Sequence, residues 1–158
     1  MFVWLSAPAL PDHKLCVIAR EDDYFFGVLQ SRLHTLWAQR AGARHGVGND
    51  LVYNVGDCFE TFPFPWPPGK ESQDDLHVHA IADAAQELVQ LRETQSGSRT
   101  LTQLYNERPM WLDNALCKLN AAVFAAHGWP DDLSDDDTRC VARLLALNME
   151  QAGHSDAE

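Results

Sequence analysis

The stretch Phe59 to Gly69, FETFPFPWPPG, limits the fold of this chain more than any other. It packs four large aromatics (Phe59, Phe62, Phe64, Trp66) and four prolines (Pro63, Pro65, Pro67, Pro68) into eleven residues. A residue that precedes proline is pushed into β or polyproline geometry, and proline itself donates no hydrogen bond, so residues 61 to 68 run extended and outside any helix or central strand. In near-β geometry Phe62, Phe64 and Trp66 share one side; a three-fold polyproline turn would spread them around the axis. Burying three rings along one seam favours the first. The stretch therefore reads as a stiff strap that fastens the N-terminal portion to the C-terminal helices. Pro65-x-x-Pro68 also has the formal pattern of a polyproline ligand, but exposed ligands of that kind rarely carry so many large aromatics.

The portions on either side of the strap differ in charge and in grammar. The 158-residue chain carries a net charge of -11 and is 46% hydrophobic, enough for a real core. Residues 1 to 69 hold five basic and seven acidic side chains, residues 70 to 158 seven basic and sixteen acidic. The second portion should repel a phosphate backbone, so any contact with nucleic acid belongs to the first. No apolar run approaches the roughly 18 residues that cross a bilayer, and the N-terminus lacks the pattern of a signal peptide, so the expected location is cytoplasmic, without a membrane. Cys16, Cys58, Cys117 and Cys140 form no C-x-x-C pair and predict reduced, partly buried thiols.

Before the strap, Phe2 to Leu5 and Leu15 to Ala19 are short apolar runs separated by Pro8 and Pro11, the pattern of two strands and a turn. Asp22 and Asp23 then suit a helix start. Phe25, Leu29, Leu33, Leu36 and Trp37 recur at helical spacing, so residues 23 to 41 predict one amphipathic helix stopped by Gly42. Gly46, Gly48 and Asn49 make a loop, and Leu51 to Tyr53 and Cys58-Phe59 suit short strands. After the strap the pattern is helical throughout. Asp74 or Asp75 caps a helix with Leu76, Ala80, Ala84, Leu88 and Leu91 inside, ending before Ser96-Gly97-Ser98. Pro109 suits the first position of a second helix buried along Leu112, Leu116, Leu119, Val123 and Ala126, closed by Gly128 and Pro130. Ser134 and the acids Asp135, Asp136 and Asp137 suit the positive end of a third, with Val141, Leu144, Leu145 and Met149 inside and a frayed tail from Gly153. The expected class is α+β, a small strand-and-helix portion followed by an all-helical portion of three to four helices, with domains at 1–69 and 70–158. Strands at the start with no neighbours would leave an exposed edge, which predicts self-association.

A search for chemistry returns no catalytic constellation. The glycine cluster Gly42, Gly46, Gly48 follows a helix, where a cofactor-binding turn would follow a strand. Trp66-Pro67-Pro68 lacks the Asp or Asn that an amino-methylating loop uses to accept a hydrogen bond from its target amine. Pro11-Asp12-His13-Lys14 contains a D-x-K triplet like that of metal-dependent nucleases, without further carboxylates to surround a metal. His77 and His79 are two apart, on different faces of a helix, and read as surface residues. The acidic triplet is sufficiently explained by helix capping. No catalytic residue and no metal ligand are therefore designated.

Three blocks carry a resemblance. Asp23 to Ser31 (DYFFGVLQS), Gly46 to Asp50 (GVGND) and Phe59 to Pro65 (FETFPFP) resemble the end of the target recognition domain of large single-chain adenine-specific DNA methyltransferases, including fused type II restriction and modification enzymes. Leu119 to Pro130, with Leu101-Thr102-x-Leu104-Tyr105-Asn106 and Trp111-Leu112 before it, resembles the helical C-terminal segment of the same enzymes. The blocks occur in the same order and extend from about residue 2 to residue 148. The chain departs from the family pattern at Val52-Tyr53, where Arg-Tyr is frequent, and at Asn120 and His127, where Asp and Tyr are common.

The resemblance implies a piece of the DNA-reading end of such an enzyme. In that family a preceding domain binds S-adenosylmethionine and transfers the methyl group, so no cofactor is expected in this chain and no catalysis by it alone. DNA contact is expected through residues 1 to 58. Arg40, Arg44 and His45 flank the glycine-rich loop, where backbone amides can approach phosphates, and Lys14 and Arg20 border the second apolar run. Trp37 and Trp66 stand at apolar positions and read as core. A different class of function fits the same chain: a small acidic protein-interaction module, one that docks onto a truncated methyltransferase subunit and supplies its missing end.

Overall fold

The computed structural model describes residues 1–6, 8–12, 15–46, 50–130, 133 and 136–155. Among them the order is α1 (Asp23–Gln30), α2 (Arg32–Ala41), β1 (Ala43–His45), β2 (Asp50–Val52), α3 (Val55–Cys58), α4 (Leu76–Gln95), α5 (Leu101–Glu107), α6 (Met110–Ala126) and α7 (Asp137–Ser155). The architecture is α+β and mostly helical, with a two-stranded antiparallel sheet that pairs Ala43 with Val52, Arg44 with Leu51 and His45 with Asp50.

The centre of the fold is α1. Every residue from Tyr24 to Gln30 is buried, because the helix is apolar on all sides and has neighbours all round. The Asp22 side chain caps it by accepting from the Phe25 N–H at 2.8 Å. Helix α4 lies directly against it at Gly27, where a Cβ would stand 2.7 Å from Ile81 Cγ2 and 3.1 Å from Ala85 Cβ. One continuous apolar cluster joins α1, α2, α4, α6 and the start of α7, with Phe62 and Phe64 inside it.

The strap enters no helix and no ladder, as its prolines require, but it is not extended throughout: the Phe64 N–H donates to the Phe62 carbonyl, the chain bends at Pro65 and Trp66, and the Lys70 N–H closes a turn on the Pro67 carbonyl. Phe62 and Phe64 are buried and Trp66 half-buried. Phe64 stacks on Phe25 with centroids 5.3 Å apart and rings 8° from parallel, Phe62 meets His34 edge-on at 4.9 Å, and Trp66 meets Tyr24 at 6.0 Å. Its backbone is held from the other side by α7: Asn148 Nδ2 donates to the Thr61 carbonyl at 2.7 Å and Gln151 Nε2 to the Phe64 carbonyl at 3.2 Å. Two carbonyls of a segment that enters no ladder are thereby satisfied.

Several expectations are corrected. Residues 2–5 and 15–19 form no strand: they enter no ladder among the described residues, and local turn bonds run from the Leu15 N–H to the Asp12 carbonyl and from the Arg20 N–H to the Ile18 carbonyl. The helix expected over 23–41 is two. At Ser31 the backbone is extended, its N–H closes α1 on the Val28 carbonyl, and its hydroxyl accepts from the His34 N–H to open α2. Serine offers the backbone this alternative to helical pairing. Cys58-Phe59 is the end of the short helix α3 and not a strand, with Asn54 capping it. In α4 the buried row is Val78, Ile81, Ala84, Ala85, Leu88 and Arg92; Leu76 and Ala80 face solvent. Leu76 is the first residue of the helix, beyond the reach of the core. Pro109 is the N-cap of α6 and not its first residue. Met149 is 70% and Leu145 41% exposed on α7, whose buried face is carried by Cys140 and Leu144. The helix continues to Ser155, past Gly153. The expected cap at Ser134 and Asp135 lies outside the described residues; the Asp136 side chain caps α7 by accepting from the Arg139 N–H at 3.0 Å. A helix not anticipated singly, α5, is set by a capping box between Thr100 and Gln103.

Candidate nucleic-acid interface

The most concentrated exposed basic group before the strap is built by the end of α2 and the hairpin after it. Arg40 is in the last turn of α2, where a cation complements the negative end of the helix dipole. Gly42 then lets the chain turn sharply into β1. A Cβ there would stand 2.6 Å from the Ala38 carbonyl oxygen and 3.0 Å from Leu51 Cδ1, so only glycine allows β2 to pack this close to the helix end. Arg44 and His45 follow on β1, both exposed, and Gly46 opens the connection with φ +78°. Every residue of both strands faces solvent, so the hairpin is a two-sided ribbon and not a lid on the core. Asp50 opposes His45 in the register, and it is the one carboxylate on the described part of the ribbon.

The other two residues expected to meet DNA fare differently. Lys14 lies outside the described residues. Arg20 has a local structural role: Nε pairs with Asp22 at 2.8 Å and Nη2 with Glu71 at 2.7 Å, while its guanidinium lies 4.6 Å from the Phe25 ring centroid. The side-chain hydrogen bond to Asp22 leads the interactions that raise the Arg20 pKa above its ordinary value, against the effect of burial. Burial pushes the Glu71 carboxyl up, but hydrogen bonds from its own N–H, from Arg20 and from the Gly69 N–H outweigh it and hold the group below its usual range. Arg20 thus ties the strap's end to the start of α1. The fold brings Arg40, Arg44 and His45 together on one short segment, with Arg20 committed to an ion-pair cluster.

Sequence reasoning missed two features near the core. His34, 1% exposed, packs among Phe2, Tyr53 and Phe62, and its Nε2 lies 3.2 Å from the Tyr53 hydroxyl. Burial lowers its pKa to about 4, so it is neutral at pH 7. The only signal for it was its place on the helical stripe beside Leu33 and Trp37. Second, a groove of about 710 Å³ runs between α2, α5, α6 and the start of α7. Its two arginines are matched within the chain, Arg32 with Asp137 at 2.6 Å and Arg108 with Asp113 at 2.7 Å. Among the described residues no group of three His, Cys, Asp or Glu side chains is placed to hold a metal ion, and no helix is long and apolar enough to cross a membrane. All four cysteines are free, Cys58 and Cys140 buried, Cys16 and Cys117 exposed.

Fold and ribbon define a mostly helical α+β module with one small exposed hairpin. The sequence is 31% identical over 147 residues to a DNA methyltransferase A of Bacillus subtilis (strain 168), a match that covers 92% of this chain and 15% of that protein. The fold matches that of a type IIL restriction-modification enzyme, MmeI, solved in complex with DNA: TM-score 0.70 and 23% identity over 84% of this chain and 17% of the enzyme. No family model matches the chain. The chain is thus similar over nearly all its length to one segment of that DNA methyltransferase, shares the fold of a segment of that restriction-modification enzyme, and spans about 15% of the length of its methyltransferase relative.

Proposed function

We propose that this chain is the DNA-recognition and C-terminal segment of an S-adenosylmethionine-dependent, adenine-specific DNA methyltransferase of the restriction-modification kind, and that it does not catalyse methyl transfer alone. The observation that carries this reading is the likeness of 92% of the chain to a segment making up 15% of a DNA methyltransferase. Cofactor and target adenine are then handled by the remaining part of such an enzyme. The cytoplasm is where this activity meets DNA. DNA contact falls to Arg40, Arg44 and His45, since the ribbon is exposed on both faces and rises from the less acidic portion. Affinity comes from neutralising phosphates, so it is low and falls steeply with salt.

Fluorescence anisotropy with a labelled duplex tests this. Binding is expected at about 50 mM salt and is lost by about 200 mM, and Arg44→Ala should reduce the slope of log K against log salt by about 1. An absence of binding at low salt, or methyl transfer by the purified chain, would contradict the reading.

A second reading draws on the exposed apolar side chains Val3, Trp4, Leu5, Leu10, Leu15 and Val17. They suit a protein surface, and a truncated methyltransferase subunit is the partner whose missing end this chain would supply. A pull-down with such a subunit separates the two. The starting strands expected to expose an edge do not form among the described residues, so the outer edges of β1 and β2 are the ones open to self-association, which light scattering of the purified chain reads directly.

A further inference from the structure

Arg92 is the one charged residue on the buried face of α4. It is 8% exposed, and its surroundings leave two of its three guanidinium nitrogens without a partner. Nη1 donates to the Phe2 carbonyl at 3.2 Å and the guanidinium carbon lies 5.1 Å from the Tyr105 ring centroid. Nε and Nη2 are buried and have no hydrogen-bond partner. These two nitrogens form one edge of the guanidinium, the side-on fork whose parallel N–H bonds match the two oxygens of a carboxylate. Burial lowers the pKa to about 10, so the group stays charged at neutral pH and cannot escape by losing its proton. A buried cation with unpartnered donors is costly to keep, and an anion against that edge removes the cost.

The same residue lines a pocket of about 240 Å³, walled by Val3, Trp4, Phe26, Val89 and Leu101. Trp4 stacks on Phe26 with centroids 4.8 Å apart. Glu93 also lines the pocket but forms no ion pair with Arg92, as neighbours one apart on a helix do not face each other. Val3 and Trp4 lie on the N-terminal segment, which belongs to no ladder among the described residues, so this wall can move aside without unpairing a sheet.

We propose that this pocket is a binding site for a carboxylate carried on an apolar body, with the Nε and Nη2 edge of Arg92 holding the two oxygens and Trp4, Phe26 and Leu101 enclosing the rest. The carboxylate can belong to a small organic acid or to an acidic side chain of a polypeptide beside an aromatic residue.

Phenylacetate, its neutral isostere phenylacetamide, and the peptide N-acetyl-Phe-Glu-amide would be titrated into the isotope-labelled full chain while following the Arg92 Nε–H resonance and the thermal midpoint. The expected result is a saturable shift of that resonance and a rise in Tm with phenylacetate or with the peptide, and neither with phenylacetamide. Response to only one of the two carboxylates identifies the source of the ligand and still supports the site. In Arg92→Met, the ligand-free Tm should equal or exceed that of the parent and the carboxylate-dependent rise should vanish. Arg92→Gln, which keeps a donor but no fork, should also lose the rise. An unmoved Nε–H resonance, as expected if only water fills the edge, overturns the proposal. So does an equal response to phenylacetamide, or a carboxylate response that survives in both variants.

Discussion

The portion before the strap and the helices after it satisfy themselves in opposite ways. From α4 to α7 the apolar positions repeat at helical spacing, backbone groups pair within each helix, and large exposed hydrophobics are few: Leu76, Met110, Leu145 and Met149. Among the described residues of 1–55 the exposed ones are Met1, Val3, Trp4, Leu5, Leu10, Leu15, Val17, Leu51, Val52 and Val55. There, α1 and α2 supply most of the contact with the core. A helix is complete once one face is covered, whereas an extended segment needs a second backbone alongside, so the shared core rests on α1, α2, the strap and the later helices.

Breaking the strap should show the largest effect. Phe64→Ala removes a 4%-exposed ring that stacks on Phe25 and meets Phe62 edge-on, and it should cost about 3 to 5 kcal/mol in urea denaturation. Leu5→Ser, at a residue 53% exposed, should stay within about 0.5 kcal/mol. Equal losses at the two sites would erase the contrast.

Acid should reach both sides of the joint. His34 has its folded pKa depressed to about 4 by burial, against 6.5 when unfolded, and burial lowers His127 similarly. Between those values the unfolded chain binds more protons, so stability is full above about pH 6.5 and falls as pH drops toward 4. The His34 part is on the order of 3 kcal/mol. A His34→Gln variant should flatten the decline measured by thermal melts from pH 7 to pH 4. Smaller again is Gly27→Ala. The added methyl meets Ile81 and Ala85 across the α1 and α4 contact, and overpacking there should cost about 1 to 3 kcal/mol despite alanine's better helix propensity.

Much of this was legible in the sequence where one local rule acted alone. The prolines keep the strap out of helix and ladder, Asp74 or Asp75 suits the cap of α4 and Asp75 supplies it, and the Leu112, Leu116, Leu119, Val123 row is the buried face of α6. Where two rules competed, the pattern misled. Ser31 interrupts a helical stripe that is continuous in hydrophobicity, because its hydroxyl and its N–H serve different helices. The runs 2–5 and 15–19 have strand composition and no partner, and pairing is a tertiary fact. Arg92 sits in the α4 stripe where a search by hydrophobicity passes over it. Arg20 stands beside an apolar run where the sequence allows a phosphate contact, and its engagement by Glu71, 51 positions away, is a contact that no local pattern encodes.

DNA should meet the ribbon at the end of α2 and leave the acidic helices untouched. Backbone hydrogen exchange of the full chain at low salt, with and without duplex DNA, reads this directly. Slower exchange gained at residues 40–46 and unchanged rates from α4 to α7 is the predicted result; protection confined to α4 to α7, or none at all, would contradict it.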